Sequence, residues 1–357
     1  MKIKVKTPGK LMVAGEFAVL EPNYKLIVTA VNRFVYVTVE DAPHNTLTLE
    51  NYNLRKLSWF YKSGKIHMAK SSNATRFVEQ ALKITYDYLI ENKYETTPIK
   101  LNIKSELADS SGRKYGLGSS AAVVTSVVQA VLERFMPEQM SKMLVFKIAS
   151  LAHVITQGNG SGADIAASSF TGMIEYTSFQ AEWLLKAYKK STSITQLIES
   201  EWKYLSIKEL SLPESVQLVV GWTGSPASTK SLVKQLRKLK DQNIIDYKSF
   251  LTSSKEAVDY ILEGLKTNNQ DAIYTGIEEN RKALALVGQR ANVEIETAKL
   301  YDLSRAAKKL SGAGKLSGAG GGDCGIAFIP THSNVDELKD VWKQNKITPL
   351  NLAIYKR

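Results

Sequence analysis

A two-domain α+β fold with a cleft between the domains is predicted for this chain on three observations. In the first third, runs of β-branched and aromatic residues, Leu26 to Ala30 and Phe34 to Glu40, read as sheet. In the middle, the alternating stretch Ile99 to Leu107 leads through a basic turn and a glycine loop into an apolar helix carrying Val123, Val124, Val127, Val128 and Leu132. In the last third, helical spacing dominates and runs into a glycine-rich turn backed by the strand Ile326 to Ile329. At 357 residues the chain is long enough for two cores. The division is placed at residues 1–190 and 191–357, within the stretch from Phe179 to Lys208 that has no dominant period.

The elements follow in order. Lys2 to Thr7 alternates and is expected to end at a tight turn, Thr7-Pro8-Gly9-Lys10. Leu11 to Leu20 is an apolar run broken by Gly15 and Glu16, and Thr46 to Glu50 alternates. Trp59 to Lys70 is polar and aromatic without a period, which suits either a flexible loop or a lid. Ala74, Phe77, Val78, Ala81, Leu82, Thr85 and Leu89 take helical spacing, as do Leu144, Ile148, Leu151, Ala152 and Ile155, with His153 near the end of the second stripe. Thr171 to Tyr176 and Val216 to Trp222 read as strands. Helices are expected over Ala257 to Leu265, Ala272 to Val287, Ile295 to Leu310 and Val335 to Gln344, before a strand-like Leu350 to Tyr355.

Composition narrows the function. With 44% hydrophobic and 23% charged residues the chain is an ordinary globular one. No apolar run reaches the roughly 18 residues a membrane span needs, and Met1 to Lys6 alternates as a strand does, unlike a secretory leader, so a cytoplasmic location is expected. A single cysteine, Cys324, excludes an internal disulfide framework, and the four histidines lack metal-ligand spacing. The net charge of +12 points to anionic ligands. The lysines are spread, as in Lys230 to Lys240 and Lys299 to Lys315, without a continuous basic tract or an aromatic RNA-binding signature. Neither nucleic acid nor membrane is therefore expected as a partner.

Five stretches carry the chemistry. Gly116-Leu117-Gly118-Ser119-Ser120-Ala121-Ala122 lets a ligand approach the backbone at the start of a helix, where unpaired N–H groups and the macrodipole favour an anion. The same residues also suit a serine N-cap on a core helix. The P-loop pattern and the dinucleotide fingerprint are both absent, which disfavours those nucleotide folds. Pro8-Gly9-Lys10-Leu11 with Gly15-Glu16 is either a plain turn bearing a surface lysine or part of a site. Gln157 to Asp164 presents one carboxylate beside small residues, leaving space for a ligand or making Asp164 a helix cap. Thr223 to Lys230 is a second possible anion nest or a capped helix start. Gly312 to Gly325 concentrates glycines between a strong helix and a strong strand, a place where linker composition has no reason to occur.

Three of these stretches, in this order, resemble the motifs of the galactokinase, homoserine kinase, mevalonate kinase and phosphomevalonate kinase (GHMP) superfamily: Pro8-Gly9-Lys10-Leu11, Gly116 to Ala122, and Lys315-Leu316-Ser317-Gly318-Ala319-Gly320-Gly321-Gly322-Asp323. The closer resemblance is to the bacterial phosphomevalonate kinases, carried by Lys114-Tyr115, by Gln157 to Asp164 and by Gly221 to Lys230. One departure is that Ser110 to Tyr115 replaces a proline common before the glycine loop, adding Arg113 and Lys114 where phosphates would sit. The resemblance implies a ribosomal-protein-S5-like N-terminal domain and a ferredoxin-like C-terminal domain with the active site in the cleft. It implies ATP and Mg²⁺, and transfer of the γ-phosphoryl group to (R)-5-phosphomevalonate by a monomer or homodimer.

The site residues are implied in the same way. Lys10, Lys114 and Asp164 would be catalytic; Gly116, Leu117, Gly118, Ser119, Ser120, Ala121, Gly320 and Gly321 would hold the nucleotide, with Ser120 on the metal. Lys10, Glu16, His153, Ser161, Gly162, Ser225, Ser228, Thr229, Lys230, Gly318 and Ala319 would hold the acceptor. A mevalonate kinase, another small-molecule kinase of the superfamily, a decarboxylase of the same fold and a ligand sensor without turnover stay open as alternatives.

Overall fold

A computed structural model describes residues 1–109, 111–226 and 229–357, without the side chains of residues 229 and 230. The first lobe is built on β1 (Lys2–Ala14), β2 (Lys25–Asp41), β3 (Thr46–Leu49), β4 (Leu54–Lys62), β5 (Lys65–Met68), β6 (Ile99–Ser105), β7 (Met173–Thr177) and β8 (Ser206–Leu210). These form one sheet in the order β5-β4-β3-β6-β2-β7-β8, with β1 paired to β2. The helices α1 (Arg76–Glu91), α2 (Ser119–Phe135), α3 (Lys142–Gln157) and α4 (Ala163–Phe170) pack on one another, and α2 and α4 pack on β1 and β2. Their apolar stripes supply the core, with Val78, Leu82, Val124, Val128, Ile148 and Leu151 all buried. Between α4 and β8 lie β7, α5 (Ala181–Lys190) and α6 (Ile194–Glu199). Because β8 pairs with β7, the first sheet extends to Leu210, past the division expected at 190/191.

Two expectations for the first lobe are corrected, and the sheet expected at Leu26 and Phe34 is found. Thr7 to Lys10 is no turn: β1 runs straight through it, with a register shift between Pro8 and Gly9 that absorbs the proline's missing N–H. Up to Thr7 the strand alternates exposed lysines with buried Ile3 and Val5, and beyond it both faces are buried. The runs at Leu26 and Phe34 belong to the single long strand β2. Trp59 to Lys70 is no irregular loop, since most of it forms the β4–β5 hairpin. Trp59 stacks edge-on against Tyr86 of α1 and Tyr61 donates to Asp87, 2.7 Å away, so the hairpin is fastened to the helix.

The second lobe contains β9 (Val216–Trp222), α7 (Thr229–Gln242), α8 (Ile244–Thr267), α9 (Gln270–Arg290), α10 (Ala298–Lys309), β10 (Ala313–Leu316), β11 (Cys324–Pro330), α11 (Val335–Gln344) and β12 (Thr348–Leu350). The strands order as β10-β11-β9-β12, every pair antiparallel, which is the ferredoxin-like arrangement. The stretch Gly312 to Leu316, expected to belong to a turn, is mostly strand β10. After β12 the chain returns to the first lobe, where Tyr355 N–H donates to Ala30 O at 2.9 Å and Gly172 N–H to Tyr355 O at 2.6 Å. No helix among the described residues is long and apolar enough to cross a membrane.

Candidate active site

The glycine loop enters α2 through Gly118, a left-handed N-cap with φ 74°, and no side chain caps the helix. The serine-cap alternative is thereby removed: Ser119 and Ser120 stand in the first turn, where hydroxyls and N–H groups are available to an anion. Leu117 and Ala121 are fully buried, and they anchor the loop by packing. Leu117 O accepts the Lys10 backbone N–H at 3.0 Å, so β1 and the loop are clipped together.

Lys10 and Asp164 meet at Gly118. Lys10 is buried and its Nζ donates to Gly116 O at 3.1 Å. A Cβ placed on Gly118 would lie 3.1 Å from Lys10 Cγ and 3.4 Å from Asp164 Cβ, so the approach of these two side chains, as well as the positive φ, requires glycine. Asp164 occupies the first turn of α4, whose N-cap is Gly162; the carboxylate is therefore not the cap. Gly162 cannot be enlarged either, because an added Cβ would meet the Phe179 ring at 2.5 Å. Ser161 O accepts from Tyr176 Oη at 2.5 Å and Ser178 Oγ at 2.9 Å, fixing the turn that carries Asp164. The Ser161 hydroxyl accepts from Ala163 N–H at 3.3 Å.

The turn after β10 closes over this group. Glu16, buried just past β1, accepts from Lys315 Nζ at 2.6 Å and from Gly318 N–H at 3.3 Å. A Cβ on Gly318 would sit 4.0 Å from Lys10 Nζ, so this turn faces the lysine. Asp323 packs its side chain against Gly116, and Cys324 Sγ donates to Tyr115 O at 3.0 Å. Gly320 and Gly321, expected on the nucleotide, both adjoin Ile295: Gly321 N–H donates to Ile295 O at 2.8 Å, and a Cβ on Gly320 would clash with that oxygen. Both lie against the second lobe at this point of the turn. Ser225 O accepts from Asp323 N–H at 2.7 Å, tying the other expected anion nest to the same turn. Ser228 and the side chains of Thr229 and Lys230 lie outside the described residues.

His153, expected among the acceptor-side residues, is placed beside Ser120. Its Nε2 is 3.3 Å from Ser120 Oγ, and burial lowers its pKa against the pull of the Asp164 charge. Lys114 is exposed at the mouth of a cavity of about 620 Å³, which Asn51, Tyr52, Asn73, Phe77 and Ser120 also line. No motif or period points to Asn51, Tyr52 or Asn73, which come from short connecting segments. Arg113 is drawn aside: Nε pairs with Asp109 Oδ2 at 3.0 Å, and the guanidinium lies over the Trp222 ring. Arg33 covers Tyr115, whose ring meets Trp222 edge-on at 5.0 Å, so the residues before the glycine loop are held to the second lobe.

Among the described residues no group of three or more His, Cys, Asp or Glu is arranged to hold a metal ion. The protein oxygens that a hard cation would meet beside the glycine loop are the Ser120 hydroxyl and the Asp164 carboxylate. Cys324 is buried and its thiol is pushed up to about 12, by desolvation first. It is accordingly expected to resist alkylation by iodoacetamide at pH 8 in the folded protein and to react on unfolding, read by mass spectrometry.

Residues 76–172 match the model of the GHMP kinases N terminal domain, and residues 261–347 that of the GHMP kinases C terminal. The chain is 31% identical to a phosphomevalonate kinase of Streptomyces sp. (strain CL190), over 97% of this chain and 95% of that one. A crystal structure of Streptococcus pneumoniae phosphomevalonate kinase in complex with phosphomevalonate and AMPPNP superposes with a TM-score of 0.85 at 27% identity, covering 99% of this chain and 100% of that one. The Lin0012 protein from Listeria innocua superposes with a TM-score of 0.92 at 38% identity, over the full length of both. The glycine loop, Lys10 and the closing turn thus meet within a fold shared along the whole chain, and the chain belongs to the GHMP kinases.

Proposed function

We propose that the chain transfers the γ-phosphoryl group of ATP to (R)-5-phosphomevalonate, giving (R)-5-diphosphomevalonate and ADP. The observation that carries this reading is the convergence of Lys10, Asp164 and the uncapped start of α2 at Gly118, in a chain similar throughout to phosphomevalonate kinases. A phosphate oxygen of the acceptor attacks the γ-phosphorus, the bond to the β–γ bridging oxygen breaks, and ADP leaves with that electron pair. Such a transfer asks chiefly for alignment and charge neutralisation. The cavity beside Ser120 and Phe77 takes the nucleoside, and the α2 N-terminus takes the donor phosphates. Mg²⁺, held by those phosphates with Ser120 and Asp164, would neutralise their charge. Lys114 approaches the phosphates from the cavity mouth, and Lys10 carries positive charge to the acceptor.

The acceptor lies between the Ser161 turn and the Gly318 turn. A second cavity, of about 600 Å³, adjoins the Ser161 turn at Gly160; Lys186, Arg237 and Lys240 line it together with Glu21, Glu182 and Asp241, and Lys240 is paired with Glu21 at 2.6 Å, so it offers no net positive charge to the acceptor. In this reading the two lobes divide between Leu210 and Val216. The test is ADP release with Mg-ATP against mevalonate, 5-phosphomevalonate, 5-diphosphomevalonate, homoserine and galactose, with CO₂ followed in parallel. Turnover confined to 5-phosphomevalonate without CO₂ is expected. Turnover on an unphosphorylated acceptor would overturn the assignment.

Asp164 has an orienting role in this reading. A phosphate monoester has a second pKa of about 6 and is already a dianionic nucleophile at neutral pH, so no base is required. Asp164→Asn is therefore expected to keep measurable turnover at pH 7.5 to 8, with no new steep pH dependence. Near-total loss recovered by raising the pH would instead make Asp164 the base.

A further inference from the structure

Phosphoryl transfer as described leaves the buried imidazole of His153, inside the first lobe, without a task. His153 is 3% exposed, on a helix whose other buried positions are mostly apolar. Its ring stacks on Phe77 with centroids 5.2 Å apart and planes 28° from parallel. Phe77 in turn lines the cavity onto which Ser120 opens. An apolar ring would fill the same space without the desolvation cost of an imidazole. What the imidazole adds is a nitrogen 3.3 Å from Ser120 Oγ.

A serine hydroxyl has one proton and two lone pairs, and a neutral imidazole protonated on Nδ1 accepts at Nε2. Whichever group takes the hydroxyl proton decides whether the oxygen presents lone pairs or a proton to the phosphates. Resting on the reading of Ser120 as a metal ligand, we propose that His153 is a positioning residue for Mg²⁺, its Nε2 accepting the Ser120 hydroxyl proton and leaving the oxygen as an acceptor for the phosphate-bound cation. Ligand atoms of metal sites are commonly fixed by such outer partners, whose loss costs about 10- to 100-fold in metal affinity.

The test is calorimetric binding of AMPPNP in EDTA and in MgCl₂, which reads the metal's contribution without turnover. The wild type should bind more tightly with Mg²⁺. His153→Phe, which keeps a ring against Phe77, should lose about tenfold of that gain while its binding in EDTA stays within about twofold. His153→Gln places an amide oxygen near the position of Nε2 and should restore most of the gain; His153→Ala carries the same comparison if phenylalanine is not accommodated. In a Ser120→Ala background His153→Phe should cost nothing further, because the two residues act as one unit. An undiminished Mg²⁺ gain in His153→Phe, an equal loss in EDTA, or additive losses in the double variant would overturn the proposal. A wild type without any Mg²⁺ gain would overturn the metal reading of Ser120, and the proposal with it.

Discussion

Lys10→Met is expected to lower kcat by about 10³-fold, ~4 kcal/mol of barrier, while the affinity for AMPPNP changes by only a few-fold. The substitution keeps the side chain as far as Cε, so its stem still packs on Gly118. What it removes is a buried ammonium whose Nζ donates to Gly116 O at 3.1 Å, in a position between the glycine loop and the Gly318 turn. Charge there acts in a site of low dielectric, where preorganised donors contribute far more than they would in water. β1 fixes the lysine's position by backbone means, through the Lys10 N–H bond to Leu117 O and continuous pairing with β2, so the loop should keep its shape in the variant. Stopped-flow turnover alongside calorimetric nucleotide binding separates the possibilities. A loss of AMPPNP affinity as large as the loss of kcat would make Lys10 a nucleotide clamp, and near-normal kcat would remove it from the chemistry.

How far the sequence was legible depended on whether a signal was local. The start of α2, strand β6 and helix α11 were readable because period and punctuation agree within one short window. The glycine-rich stretches were readable because glycine at that density is costly unless a turn or a close approach requires it. The fate of Gly320 and Gly321 was not: which carbonyl they meet depends on Ile295, which the second lobe brings from a distant part of the chain. The continuity of β1 through Pro8 and Gly9 was hidden for a related reason, since proline and glycine signal a turn locally while pairing with β2 carries the strand on. His153 looked like a residue beside the Asp164 turn, and only the packing of α3 against α2 aims it at Ser120. The cavity residues Asn51, Tyr52 and Asn73 come together from segments whose spacing carries no pattern.

Lys315→Met is expected to destabilise the protein by about 3–5 kcal/mol, read as a fall in the urea midpoint at unchanged slope, although the lysine is one of 47 basic residues. Its side chain is 0% exposed and that of Glu16 3%. Burial pushes the Lys315 ammonium down from its usual range against the stabilising charge of Glu16. Nζ also donates to Leu316 O at 2.6 Å, while the second oxygen of Glu16 is buried without a hydrogen-bond partner among the described residues. Glu16 therefore depends on Lys315, and removing the lysine leaves a buried carboxylate with only the Gly318 N–H. Glu16→Gln combined with Lys315→Met removes both charges and should recover a large part of the loss, whereas two independent contributions would add. A Lys315→Met variant as stable as the wild type would mean that water reaches the carboxylate, and the pair would then be a surface ion pair in energetic terms. The pair joins the end of β1 in the first lobe to β10 in the second, and the Gly318 turn it holds faces Lys10. In the folded fraction of Lys315→Met, KM for the acceptor should accordingly rise more than KM for ATP, because the cavity proposed for the nucleotide is lined by first-lobe residues.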